Sequence, residues 1–144
     1  MTLKLEHVGL SVSDLDRSIA FYGDLLGFEV LRIIDCRPEG KLGEVTNIPG
    51  ACARLAHLAL GDATIELLEY KYPHGRAIPP DYTMADIGFS HICLASDDIM
   101  SDYLTLRSKG VRFCTEPLEY RPGVRMAYFY GPDGEACELR QVVP

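Results

Sequence analysis

The chain has little positive charge and no long apolar run. Its 144 residues carry 14 lysines and arginines against 21 aspartates and glutamates, a formal net charge of −7 at pH 7. This balance argues against nucleic acid or an anionic membrane as the main partner, because both attract basic proteins. No apolar run approaches the ~18 residues of a membrane span, and the amino terminus lacks the charged-then-apolar pattern of a signal peptide. The sequence therefore predicts neither a nucleic-acid partner nor a membrane location.

Closely spaced cysteine pairs are also missing. The five cysteines are an odd number, lie far apart and form no Cys-x-x-Cys motif. Such spacing does not indicate a disulfide framework, and disulfides are rare in reducing compartments. We therefore expect reduced core thiols in a cytoplasmic protein, at positions Cys36, Cys52, Cys93, Cys114 and Cys137.

What the chain does contain is an internal repeat. His7 begins an apolar stretch in which Asp14 stands seven positions later, and His91 begins a second stretch with Asp98 at the same distance. Each copy continues into a helical pattern and ends much later on a Glu-Leu pair. Repeats of this kind indicate duplicated modules, each of which supplies equivalent residues.

The repeat defines a candidate metal site. Each copy contributes one histidine and one glutamate, which we interpret as the ligand set His7, Glu66, His91 and Glu138. Glu66 is preferred to Glu69 because it matches Glu138 in the repeat. Four nitrogen and oxygen donors without a thiolate favour one divalent ion of the group Zn, Ni, Co, Mn or Fe(II). His57 and His74 have no counterpart in the second copy, and we expect both to lie outside the site.

Hydrophobic periodicity predicts the same order of elements in both copies. The sequence predicts a first module over residues 1–71, a connecting loop over 72–88 and a second module over 89–144, together one compact domain. The expected strands span residues 4–12, 28–34, 54–60 and 63–70 in the first module and 89–95, 111–114, 125–130 and 136–142 in the second. The expected helices span residues 15–26 and 99–108. The predicted fold class is therefore α+β, with two tandem β-α-β-β-β modules.

This pattern resembles the vicinal oxygen chelate superfamily, which includes glyoxalase I, methylmalonyl-CoA epimerase, extradiol ring-cleaving dioxygenases and bleomycin-binding proteins. The resemblance implies an open, curled mixed sheet around a metal site, and a homodimer. It covers residues 7–139 and is most specific at 7–10, 21–27, 65–67, 91–92, 132–134 and 138–139.

The resemblance also implies an activity. In glyoxalase I and the epimerases, metal-site glutamates remove a proton next to a chelated carbonyl, through an enediolate. Carried over, this makes Glu138 the base, with Glu66 on the opposite side, in a metal-dependent isomerase or lyase. The expected partner is a small molecule with vicinal oxygens, and the expected substrate-binding residues are Tyr128, Arg125 and Tyr70.

Two alternatives remain open at this point. An Fe(II) extradiol dioxygenase would use His7, His91 and Glu138, with Tyr128 lining its site. A non-catalytic binding protein of the bleomycin-resistance type would lack a full ligand set. Glutathione is a poor substrate candidate, because Ser11 and Tyr70 stand where glyoxalase I has an arginine and an asparagine.

Overall fold

The structure is a computed structural model that describes residues 2–143. The chain divides between Ala77 and Ile78 into two compact units. No helix among the described residues is long and apolar enough to cross a membrane. The division falls inside the segment 72–88 that we expected to connect the modules, and the finer division at residues 71 and 89 stays a prediction.

The first unit is a four-stranded sheet with helices. Its order is β1 (Val8–Ser11), α1 (Leu15–Ile19) with a π-helical continuation (Ala20–Leu25), β2 (Glu29–Ile34), α2 (Leu42–Thr46), β3 (Cys52–Leu60) and β4 (Ala63–Tyr72). The strands lie in the order β1-β4-β3-β2. β1 runs parallel to β4, whereas the β2–β3 and β3–β4 pairs are antiparallel.

The second unit repeats this plan. Its order is β5 (His91–Ala95), α3 (Ile99–Ser108), β6 (Leu118–Arg121), β7 (Val124–Tyr130) and β8 (Ala136–Val142). The strands lie in the order β5-β8-β7-β6, with β5 parallel to β8 and the other pairs antiparallel. Both sheets are mixed and open, which confirms the predicted α+β fold of two β-α-β-β-β modules.

Equivalent contacts begin the main helix of each unit. Asp14 caps α1 and Asp98 caps α3, because each carboxylate accepts a backbone N–H from the first helical turn. The amide of Leu15 also donates to Glu69 Oε2 at 3.3 Å, and the amide of Ile99 donates to Gln141 Oε1 at 3.4 Å. Glu69 on β4 and Gln141 on β8 therefore fix the starts of α1 and α3, the helices that cover their sheets.

Each helix covers one face of its sheet and forms a core there. The fully buried side chains on these faces include Leu15, Tyr22, Leu58 and Leu67 in the first unit and Ile99 and Phe129 in the second. Because side chains alternate along a strand, the residues between these positions point to the opposite face of each sheet. That opposite face is where the candidate site residues lie.

One predicted strand is wrong. Residues 111–114 form no strand, and Phe113 makes only an isolated bridge to Phe129. The ring of Phe113 contacts those of Tyr103 and Phe129, with ring centroids 4.8 and 5.3 Å away. The apolar pattern at 111–114 therefore reflects packing against α3 and β7, and the edge strand β6 follows in the segment that we expected to be a loop.

The expectation of five reduced thiols is also wrong for one pair. Cys36 and Cys52 form a disulfide, with their Cα atoms 5.3 Å apart. Cys36 follows the end of β2 and Cys52 begins β3, and these two strands are antiparallel neighbours. Strand pairing therefore brings together two residues that are 16 positions apart in the sequence, a spacing that carries no disulfide signature.

Candidate metal and substrate site

In the first unit, a row of residues crosses the sheet at Glu66. The strand register pairs Glu66 with Gly9 on β1 and with His57 on β3, and pairs His57 with Arg32 on β2. Directly paired residues present their side chains on the same face of a sheet. The row therefore places a carboxylate, an imidazole and a guanidinium in consecutive contact.

His7 reaches this row from the residue just before β1. Its Nε2 atom lies 3.8 Å from Glu66 Oε1. The rings of His7 and His57 lie on either side of the carboxylate, with centroids 5.9 Å apart. The sequence-predicted pair His7 and Glu66 is thus brought together within the first unit.

His57 holds the other oxygen of Glu66. The Nε of Arg32 donates to His57 Nδ1 at 2.9 Å. Because a guanidinium can only donate, Nδ1 must accept and the ring proton must sit on Nε2. The Nε2–H of a neutral His57 then donates to Glu66 Oε2. Arg32 therefore selects the tautomer in which His57 orients the carboxylate.

The second unit has an equivalent row at Glu138. Here the register pairs Glu138 with Cys93 on β5 and with Tyr128 on β7. His91 Nε2 lies 2.9 Å from Glu138 Oε2, and the His91 and Tyr128 rings meet edge to face with centroids 5.1 Å apart. His91, Glu138 and Tyr128 are thus brought together as the sequence predicted.

The side chain of Glu138 is less exposed to solvent than that of Glu66. The side chain of Glu138 is 5% exposed and that of Glu66 is 17% exposed. Burial raises the pKa of the Tyr128 hydroxyl, and its hydrogen bond to Glu138 and the charge of that carboxylate raise it further. Burial also raises the pKa of the Cys93 thiol, again with a contribution from Glu138. Tyr128 and Cys93 are therefore neutral donors beside the carboxylate at neutral pH.

Each histidine–glutamate pair fits half of a divalent-metal site. Metal–nitrogen and metal–oxygen bonds of about 2.0–2.2 Å place neighbouring donors roughly 3–3.5 Å apart. The 2.9 Å separation at His91 and Glu138 is close to that range, and the 3.8 Å separation at His7 and Glu66 is slightly longer. Among residues 2–143, no group of three or more His, Cys, Asp or Glu side chains is arranged as a metal site.

The three predicted substrate-binding residues lie in different places. Tyr128 contacts the His91–Glu138 pair, as described above. Tyr70 shares the strand face of Glu66 but lies four residues further along β4, which is about 13 Å. Arg125 is exposed on β7 and, three residues from Tyr128, alternates onto the face of Ala127 and Phe129. The structure does not bring Arg125 next to Glu138.

Sequence reasoning missed His57, which we expected to lie outside the site. The register makes it the counterpart of Tyr128, because each pairs directly with its module's glutamate. The two positions do not align by counting, since the β3–β4 hairpin turns through two residues and the β7–β8 hairpin through five. Glu66 and His57 are each four residues from the turn of their hairpin, and Glu138 and Tyr128 are each three residues from theirs. Counting in both directions from the predicted turns would therefore have found His57.

The sequence is similar to those of known proteins along almost its whole length. The family model of the glyoxalase/bleomycin resistance protein/dioxygenase superfamily matches residues 4–139. A probable lactoylglutathione lyase from Synechocystis is 33% identical over 146 aligned residues, covering 95% of this chain and 94% of that protein. Human mitochondrial methylmalonyl-CoA epimerase is 27% identical over 144 aligned residues, covering 96% of this chain and 73% of the epimerase.

Solved structures show the same fold. The crystal structure of a glyoxalase family protein from Bacillus cereus matches with a TM-score of 0.88 at 21% identity, covering 100% of this chain and 97% of that one. The chain therefore belongs to the glyoxalase/bleomycin resistance protein/dioxygenase superfamily, which confirms the resemblance drawn from its repeat. Its relatives include lyases and epimerases.

Proposed function

We propose that this chain is a divalent-metal-dependent isomerase or lyase of the glyoxalase or epimerase type. The observation that carries the proposal is the same histidine–glutamate contact in both modules, at His7 and Glu66 and at His91 and Glu138. In this proposal the two pairs are halves of one site for Zn, Ni, Co, Mn or Fe(II), completed within one chain or across a homodimer.

The chemistry follows from the carboxylates. A bound divalent cation would supply Lewis-acid stabilisation of charge that develops on substrate oxygen. Glu138 takes the proton from the carbon next to the carbonyl, and Glu66 lies on the opposite side of the site. Return of the proton on the other face gives epimerisation, and return to the neighbouring carbon gives isomerisation. Tyr128 is the proposed substrate-binding residue beside Glu138, whereas Tyr70 and Arg125, which were also predicted from the sequence, lie further from the two glutamates.

Solvent exchange tests this function. Metal-reconstituted protein would be incubated in D₂O with methylmalonyl-CoA and with hydroxy-ketones, and deuterium at the carbon next to the carbonyl followed by NMR. We expect incorporation that depends on the metal and is lost in Glu138→Gln. Metal-loaded protein that exchanges no such proton in either substrate class would contradict the proposal.

One observation favours a second candidate. Tyr128 lies edge-on to His91 and beside Glu138, as expected for a ring-cleaving dioxygenase that holds Fe(II) with His7, His91 and Glu138. Glu66 would then be a fourth donor where that chemistry needs an open position. Oxygen uptake with catechols by Fe(II)-loaded protein, and its absence with other metals, would favour this candidate. A non-catalytic binding protein is the third possibility and predicts no exchange and no oxygen uptake.

We also propose a homodimer in the cytoplasm. Exposed apolar side chains on β2, including Leu31 and Ile33, offer surface for a second copy.

A further inference from the structure

A cavity of ≈ 310 Å³ opens on the second unit beside the Glu138 row. It is lined by Cys93, Ala95, Ser96, Asp97, Arg140 and Val142. Cys93 and Ala95 continue the face of His91 along β5, and Arg140 and Val142 continue the face of Glu138 along β8. The cavity therefore lies next to the proposed reaction site, with Cys93 as the lining residue that pairs with Glu138, and has the size of a small ligand pocket.

Arg140 is the only cationic side chain among the residues that line this cavity. It is half-buried, and within residues 2–143 its guanidinium forms no hydrogen bond or ion pair with another side chain. The acidic residue of the cavity, Asp97, is exposed and makes no ion pair with it. A guanidinium with unused donors at the edge of a cavity suits a carboxylate or phosphate, which it can bind through two parallel hydrogen bonds.

The spacing along β8 limits the ligand. Arg140 lies two residues beyond Glu138, about 6.6 Å along the strand, and their partners on β5 are Ala95 and Cys93, respectively. Both charged groups lie near enough to the Cys93 thiol to affect its pKa, which Glu138 raises and Arg140 lowers. An anionic group at Arg140 and a reacting carbon at Glu138 would thus belong to one small molecule, separated by a few bonds.

The first module has no such residue. The position two residues after its glutamate is Leu68, which pairs with Ser11 on β1 and Leu55 on β3. The cation is therefore a feature of one module rather than of the repeat. This asymmetry places an arginine two residues from Glu138, where the equivalent position after Glu66 has an apolar side chain.

We infer that Arg140 is a specificity-determining residue, which binds the terminal carboxylate or phosphate of a small substrate whose vicinal oxygens lie at His91 and Glu138. The inference rests on the proposed function and narrows its substrate class. Arg140 takes the place of Arg125, which the sequence predicted to bind substrate but which alternates onto the other face of β7.

Two matched probe pairs test the inference without requiring turnover. 2-Oxoglutarate and 2-oxopentanoate share vicinal oxygens and differ in a distal carboxylate, and dihydroxyacetone phosphate and dihydroxyacetone differ in a phosphate. Dissociation constants would be measured by calorimetry on metal-reconstituted full chain, Arg140→Met, Arg140→Lys and the control Arg107→Met. Arg107 lies on α3, with its side chain 62% exposed. Metal content and circular dichroism of every variant would be recorded alongside.

In at least one pair, we expect the compound with the distal carboxylate or phosphate to bind at least tenfold more tightly than the compound without it. That preference should fall below about twofold in Arg140→Met and persist in Arg140→Lys and Arg107→Met, because one lost charged hydrogen-bonding group accounts for a change of this size. The favoured pair would distinguish a carboxylate from a phosphate.

Equal binding within both pairs, no binding of any probe, or a preference that survives Arg140→Met would each overturn the inference. If Arg140→Met is misfolded by circular dichroism, Arg140→Gln takes its place, with the same expected loss of the preference. These results are separate from failure of the proposed function, which would appear as a parent protein that holds no metal after reconstitution.

Discussion

The two modules build the same carboxylate into different surroundings. Glu66 and Glu138 occupy the same position in the sheet order, and each has a histidine reaching it from the neighbouring parallel strand. Across the antiparallel hairpin, however, Glu66 faces His57 and Glu138 faces Tyr128. Duplication has thus kept the proposed ligands and varied the residue that orients each one.

This difference separates two roles. One Glu66 oxygen accepts from His57, which Arg32 fixes in turn, and the other faces His7. The Glu66 carboxylate is therefore restrained by successive hydrogen bonds from Arg32 on the edge strand β2 to His57 and from His57 to Glu66. Glu138 is more buried and has Tyr128 and Cys93 as its neutral neighbours. We interpret Glu66 as the anchored ligand and Glu138 as the group that exchanges protons with substrate.

The largest difference between the modules is expected when Glu66 and Glu138 are replaced one at a time. At saturating metal, Glu138→Gln should lower proton exchange by about 10²–10⁴-fold, the usual contribution of a general base. Glu66→Gln should weaken metal binding while losing less of the exchange rate, because its amide can still contact His57 and the metal. NMR exchange rates at a series of metal concentrations would measure both effects. Equal losses in the two saturated variants would contradict the assignment of roles.

A substitution at His57 tests whether the Arg32–His57 contact orients Glu66. We expect His57→Phe, which keeps a ring but removes the donor, to lower metal affinity roughly 10–100-fold, as loss of groups behind metal ligands does. His57→Gln retains an N–H donor and should stay within a few-fold of the parent. Competition with a metal chelator gives the affinities.

His74→Phe serves as the matched control for this pair, because His74 is exposed in the loop after β4. If His57→Phe and His57→Gln bind metal as tightly as the parent, His57 is only a packing residue. If both lose affinity equally, the donor is not what matters.

The smallest expected effect is on the acid stability of the first module, where Arg54 contacts Asp16. A hydrogen bond from Arg54 lowers the pKa of Asp16 on α1, with Arg54 Nη1 2.8 Å from Asp16 Oδ2. A lowered folded-state pKa gives stability that is present above the ordinary aspartate pKa and is lost as pH falls through the folded value. Asp16→Asn should therefore lower the thermal midpoint slightly at pH 7 and leave it unchanged at pH values below the lowered pKa. A difference of equal size at both pH values would contradict this cause.

Much of this comparison could be predicted from the sequence, because it depends on repeated spacing. The predicted helix at 99–108 and strand at 136–142 agree with α3 and β8, since Asp98 caps the start of the helix and Gly134 lies in the turn before the strand. The His–Glu pairs also followed from spacing alone. Both glutamates were assigned from a Glu-Leu pair that ends each copy, and each contacts its own module's histidine.

What could not be predicted depends on register rather than on spacing. His57 and Tyr128 became equivalent only once the strands were paired, because their hairpins differ in turn length. The disulfide of Cys36 and Cys52 needed the β2–β3 pairing. Alternation along β7 and β8 could have separated Arg125 from Arg140, but the cavity beside Arg140 is formed only once β5 and β8 are paired.

We propose that both modules contribute to one metal site, and the metal content of variants in each module decides whether they do. Elemental analysis of tag-free protein would be made for the parent, Glu66→Gln in the first module and His91→Ala in the second. The account predicts one divalent ion per chain in the parent and a reduced content in both variants. A parent without metal after reconstitution, or full metal retention in Glu66→Gln beside loss in His91→Ala, would contradict it.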